Sequence, residues 1–204
     1  MRKKNGVARM TRRTRADIVP PHPIPHDHRR ASLIFKSHWG WMGLAETANG
    51  IVKIVLPKAS KQFVESELPA GAPEFRQEAS SSRLQAARKQ LTEYLIGTRT
   101  SFNLPLDLSE GTDFQRRVWM ALQSVPYGQL RSYQDLAARV GGKQYARAVG
   151  NAVGANPLPI VIPCHRIVTR NSSLGGFSGG LPTKQRLLTL EGSLSQLRRA
   201  GKVS

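Results

Sequence analysis

The chain has one cysteine in 204 residues. That excludes a disulfide framework and any zinc site built from several cysteines, and it fits a reducing, intracellular compartment. No apolar run reaches the roughly 18 residues of a membrane-spanning helix, so none is expected. No apolar stretch follows the basic N-terminus, as a secretory signal would require. Acidic residues are scarce: 13 Asp+Glu stand against 31 Lys+Arg, a formal net charge of +18. A chain this basic favours a polyanionic partner, most often nucleic acid, although a solvated basic surface gives the same arithmetic. Apolar residues make up 39% before glycine is counted, enough for a packed core.

Residues 1–30 carry nine Lys/Arg and two Asp, so they hold +7 of the charge. They have no apolar periodicity, and Pro20-Pro21-His22-Pro23-Ile24-Pro25 suits neither helix nor central strand. A disordered basic tail is expected there, with His22, His26 and His28 read as linker rather than metal ligands. Beyond it, the runs at 32–36, 39–47 and 51–56 predict a small sheet, with Asn49-Gly50 as a hairpin turn. Residues 66–80 read as a loop. Residues 81–96 read as a helix, with Leu84, Leu91 and Leu95 on one face and Gly97 as its stop.

From Thr112 the pattern turns helical. Thr112 with Gln115 forms a capping box ahead of the stripe Phe114, Val118, Trp119 and Leu122. Ser132 with Asp135 is a weaker capping box, opening a short helix that Gly141-Gly142 ends. A further helix is predicted over 144–153, with Lys143 and Arg147 near its start. Two short helices about a glycine turn outline a helix-turn-helix, or simply two packed helices. A Gly-rich loop follows at 173–180, and a last helix is predicted over 183–191, stopped by Gly192.

The buried-looking run 158–163 delivers Cys164, His165 and Arg166. A cysteine attacks only as thiolate, and its free pKa of about 8.5 leaves little of that at pH 7. Positive charge from His165 and Arg166 is expected to lower it. Glu191 is available to orient His165, and a water to connect His165 with the thiol. From these residues alone, an inert buried cysteine beside a satisfied histidine is the favoured reading.

Ile162-Pro163-Cys164-His165-Arg166-Ile167-Val168 resembles the active-site signature of the O6-alkylguanine-DNA alkyltransferases. The resemblance continues through Ser132-Tyr133-Gln134-Asp135-Leu136-Ala137, Ala146-Arg147-Ala148-Val149-Gly150, Asn156-Pro157, Phe177-Ser178-Gly179-Gly180 and Leu187-Leu188-Glu191-Gly192. It is strong over about 112–192, loose over 33–108, and leaves out the N-terminal tail. It implies direct transfer of an alkyl group from guanine O6 in double-stranded DNA to Cys164, once per polypeptide. No cofactor is implied.

The resemblance also implies roles. Cys164 is the nucleophile, His165 takes its proton through a water, and Glu191 holds His165. Tyr133 donates to the leaving purine, and the Ser178 N–H faces the departing oxygen. The carbonyls of Cys164 and Ile167 face the guanine amino group, and Gly179, next to Ser178 on the Gly-rich loop, is a further base-binding residue. Asn156 ties the helix-turn-helix to the nucleophile segment. Arg147 replaces the flipped nucleotide in the stack, and Lys143 belongs to the DNA-facing surface. Phe177 stands where some relatives have Tyr. Non-reactive relatives lack the cysteine present here, and zinc-containing relatives use N-terminal cysteines absent here.

The expected fold class is α+β: a small N-terminal antiparallel sheet with a helix, then a mostly helical half containing the helix-turn-helix. The expected organisation is a tail over 1–30, an α/β domain over 31–108, a DNA-binding and active-site domain over 109–192, and a basic tail over 193–204. The expected protein is a monomer, cytoplasmic, placed with the nucleoid or nucleus. A helix-turn-helix regulator without chemistry and a thiol hydrolase are the competing readings.

Overall fold

The computed structural model describes residues 31–69, 81–171 and 173–199. The expected N-terminal tail with its histidines, the segment 70–80 and residues 200–204 lie outside the described residues.

Strands β1 (Ala31–Ser37), β2 (Gly40–Glu46) and β3 (Ile51–Lys58) form an antiparallel meander in the order β1-β2-β3. One face, including Leu33, Phe35, Met42, Leu44, Ile54 and Leu56, enters the main core. The other face carries Ile34, Val55 and the partly buried Trp41, and packs with Val64. Val64 lies on α1 (Lys61–Glu67), a helix that the sequence reading had not separated from its surroundings. Only Val64 of α1 is buried, so no apolar stripe announces it. Trp39 is stacked by the Arg186 guanidinium, 3.9 Å from the ring centroid.

Helix α2 (Ser82–Leu95) is capped by Ser81 and buries Leu84, Ala87, Leu91, Tyr94 and Leu95. The crossing segment then docks on β3. Ile51 donates to the Pro105 carbonyl and Asp107 donates back to Ile51, both at 2.9 Å. Helix α3 (Asp113–Gln123) has the predicted capping box of Thr112 and Gln115. Its Trp119 indole donates to the Ala152 carbonyl at 2.8 Å, which pins α3 to the segment that follows the glycine turn.

The helix-turn-helix is α4 (Tyr133–Val140) and α5 (Ala146–Gly154). Both bonds of the Ser132–Asp135 capping box are present. The helix predicted over 144–153 is corrected at its start: Lys143–Tyr145 is a 3-10 turn, and α5 begins at Ala146. Gly142, at φ 137°, makes the bend that separates them. Strands β4 (Arg131–Ser132) and β5 (Ile167–Val168) pair in parallel and join the entry of α4 to the exit of the Cys164 segment. Helix α6 (Leu181–Leu190) closes the site. The tail expected from 193 is also corrected, because Leu194–Arg199 forms α7. Leu194 and Leu197 are buried there with Leu188, which gives that short segment a reason to fold. No described helix is long and apolar enough to cross a membrane.

Candidate active site

Cys164 opens a one-turn 3-10 helix, Cys164–Arg166, between the chain leaving α5 and β5. The approach is strained: buried Ile160 has φ 77°, a left-handed conformation that costs a β-branched residue about 1–3 kcal/mol. The turn is held by Ile162 N–H donating to the Leu158 carbonyl at 2.8 Å. Asn156, just past α5, does the rest. Its amide donates to the Ile162 carbonyl at 2.8 Å and to Cys164 Sγ at 3.1 Å, and its oxygen accepts from Leu158 N–H at 3.0 Å.

The thiol is 3% exposed. Burial pushes it above its ordinary value, and the Asn156 hydrogen bond and the Lys184 charge only partly oppose that. The expected lowering by His165 and Arg166 is therefore corrected. Arg166 is committed elsewhere: Nε lies 3.1 and 3.0 Å from the two Glu191 oxygens, another nitrogen 2.8 Å from Oε1, and a third donates to the Val125 carbonyl at 2.6 Å. His165 is fully buried, and burial lowers its pKa against the opposing pull of Glu191. The imidazole is neutral near pH 7, so it cannot stabilise a standing thiolate.

Glu191 is the hub. Burial alone would raise its pKa, but hydrogen bonds from His165 and Arg166 outweigh that and bring it down to about 2. Its Oε1 receives the Tyr94 hydroxyl at 2.5 Å and lies 2.9 Å from His165 Nε2, while Oε2 accepts the Gly128 N–H at 3.2 Å. A carboxylate acceptor at Nε2 assigns the proton to that nitrogen. His165 Nδ1 is then the bare, basic nitrogen. It is buried and has no hydrogen-bond partner among the described residues. Burial, then the Glu191 charge, drive the Tyr94 phenol far up, so it stays a donor.

The other predicted residues are placed as follows. Tyr133 is half-buried at the start of α4, its phenol pushed up by burial and by the nearby Cys164. Gly175 packs so close that an added Cβ would lie 3.2 Å from the Tyr133 ring, which sets the Gly-rich loop against it. Ser178 is exposed on that loop; Gly179 abuts Leu56, 2.4 Å from where a Cβ would sit. Ile167 is buried on β5, and its carbonyl accepts from Lys184 Nζ at 2.5 Å. Arg147 and Lys143 are exposed. No described hydrogen bond joins them to the Cys164 cluster.

Sequence reasoning missed Tyr94 and Lys184. Lys184 is fully buried on α6 and also donates to the carbonyls of Leu174 and Gly176, clamping the Gly-rich loop to β5. Burial lowers its pKa to about 8. Its signal was available, since 184, 187, 188 and 191 share one helical face.

The family description "6-O-methylguanine DNA methyltransferase, DNA binding domain" matches residues 113–193. A methylated-DNA–protein-cysteine methyltransferase of Methanosarcina acetivorans is 38% identical over 160 residues, covering 78% of this chain and 97% of the relative. The chain belongs to the methylated-DNA–protein-cysteine methyltransferase family. The relative from Mycolicibacterium paratuberculosis is 51% identical over 105 residues, 52% of this chain. That match spans 63% of the relative, under two thirds of its length. Among solved structures, Mycobacterium tuberculosis OGT in complex with DNA matches with a TM-score of 0.67 and 35% identity, covering 80% of this chain and 93% of that one. The α+β fold of the family is the fold found here, and Cys164, His165 and Glu191 lie inside the matched region.

Proposed function

We propose that the protein repairs DNA by moving a methyl or larger alkyl group from guanine O6 in double-stranded DNA onto Cys164, consuming itself in one transfer. The carrying observation is the Asn156-bonded thiol, followed in the chain by a histidine whose Nε2 is held by Glu191 and whose Nδ1 is bare among the described residues. A stacked guanine cannot present its alkyl carbon to a buried sulfur, so the nucleotide must be flipped, at a few kcal/mol. Exposed Arg147 on α5 fills the gap it leaves, and Lys143 contributes to salt-sensitive phosphate binding.

With the base in place, His165 Nδ1 takes the thiol proton through a bridging water. The Sγ–C bond forms as the C–O6 bond breaks, and the electron pair leaves on guanine. Tyr133 donates toward the purine ring, the Ser178 N–H meets the departing oxygen, and the carbonyls of Cys164 and Ile167 hold the exocyclic amine. The proton returns from His165, leaving guanine and S-alkylcysteine; the step balances without another reactant. A thioether has no hydrolytic exit here, which makes the protein single-use. It acts as a monomer, wherever the cell keeps its DNA.

Incubation with a duplex containing O6-methylguanine is expected to add the mass of one methyl group, located at Cys164 by peptide mass spectrometry. Cys164→Ala should lose the transfer and keep DNA affinity. A methyl group on another residue, or repeated turnovers per chain, would refute the assignment.

The transfer should also report the buried imidazole. The competent state needs His165 neutral, and burial lowers its pKa. The rate is expected to hold steady as pH falls from 7.5 to the ordinary histidine value of about 6.5, and to drop only below it. An acid limb centred at or above that value would contradict a buried, neutral base.

A further inference from the structure

Asn156, Cys164, His165, Arg166, Lys184 and Glu191 all lie within residues 113–193, the span of the family match. Tyr94 does not; it reaches the cluster from α2, in the first half of the chain. Its side chain is fully buried between the rings of Phe102 and Tyr127, with centroids 5.3 and 6.0 Å away. Its hydroxyl donates to Glu191 Oε1 at 2.5 Å. The same oxygen takes His165 Nε2 at 2.9 Å and two Arg166 nitrogens at 2.8 and 3.1 Å. A carboxylate oxygen has lone-pair sites for about two good hydrogen bonds, so these donors compete. The phenol oxygen stands 3.4 Å from His165 Nε2, too far to replace Glu191 as its acceptor.

The groups facing the imidazole come from three directions. Its own turn brings Cys164 and Arg166, α6 brings Lys184 and, at its end, Glu191, and α2 brings Tyr94. The Phe177 ring, edge-on at 6.5 Å, carries no charge. Glu191 draws the imidazole toward its protonated form, while Arg166 and Lys184 oppose it. We propose that Tyr94 is a positioning residue that limits the basicity of His165, its hydroxyl taking a share of Glu191 Oε1 and so weakening the bond from His165 Nε2–H. This rests on His165 as the proton acceptor in alkyl transfer to Cys164. A hydrogen bond to a carboxylate lessens the charge it offers to its other donors, so an imidazolium gains less from Glu191 while the phenol is bound. The first half of the chain then tunes the base as well as completing the core.

Tyr94→Phe keeps the ring and removes the hydroxyl, whereas 3-fluorotyrosine placed at position 94 makes the phenol a stronger donor. In protein labelled with 15N-histidine, the Nε2 proton of His165 reports its bond to Glu191 by NMR at neutral pH. That resonance should move downfield in Tyr94→Phe and upfield with fluorotyrosine. The acid limb of single-turnover transfer from an O6-methylguanine duplex should rise by about one pH unit in Tyr94→Phe. An unmoved resonance or an unmoved limb overturns the proposal. So does an upfield move in Tyr94→Phe, which a loosened core would give. Should Tyr94→Phe fail to fold, the fluorotyrosine protein decides alone. Failure of the wild-type protein to take the methyl group would sink the underlying reading of Cys164, and the resonance would still decide for or against Tyr94.

Discussion

Glu191→Gln is expected to destabilise the fold by about 3–5 kcal/mol, because it leaves the Arg166 guanidinium buried without its counter-charge. The change is nearly isosteric, so packing is preserved and electrostatics is what is tested. Arg166 is 6% exposed and places three of its contacts on this one carboxylate. Urea denaturation of both proteins measures the cost. The pH dependence adds a signature. The Glu191 carboxyl is depressed in the folded state, so its stabilisation is complete above its ordinary value of 4.5 and is lost as pH falls toward about 2. The gap between wild type and variant should narrow over that window. Transfer should slow on the order of 100-fold or more, since the amide no longer fixes the His165 tautomer. A stability loss below about 1 kcal/mol, the range of an exposed ion pair, would show that Glu191 is not the hub of the cluster.

Asn156→Ala removes two backbone hydrogen bonds and a contact to the thiol together. The buried Ile162 carbonyl and Leu158 N–H each lose a partner, at about 1–3 kcal/mol apiece. Asn156 is also the largest influence holding the Cys164 thiol down, so its removal moves the thiol further up. The expected result is a loss of about 2–4 kcal/mol in unfolding free energy. A transfer rate roughly ten-fold lower at neutral pH should accompany it and recover as the pH is raised, one pKa unit being ten-fold in thiolate. Recovery at alkaline pH separates activation from simple unfolding. A flat pH profile in the variant would mean that Asn156 serves the backbone alone.

Local structure was well marked wherever one residue's chemistry decides it. The two capping boxes rest on side chains three residues apart, and both formed. The Asn49-Gly50 turn and the strands on either side follow from short-range preference and alternation. Helix α1 left no such mark, because a single buried Val64 makes no periodic stripe. Helix α7 was hidden for a related reason: Leu194 and Leu197 sit amid polar and basic residues, and their burial depends on Leu188 of a different helix.

At the site, the chain order of Pro163-Cys164-His165-Arg166 and the later Glu191 marked the candidate reacting groups and the family they resemble. Their charges were another matter. Adjacent positive residues suggested a thiol already lowered, whereas Arg166 turns to Glu191 and Val125, and His165 is neutral by burial. Tyr94 meets Glu191 from 97 positions away, a distance along the chain that no local pattern spans.

The sequence by itself determined most of the element types and the candidate nucleophile with its histidine, because these depend on residue chemistry and spacing of a few positions. Only the tertiary structure decided which charge faces which partner, and that the resting thiol is held up rather than down. Those outcomes depend on desolvation and on contacts between distant segments, and both exist only once the chain has folded.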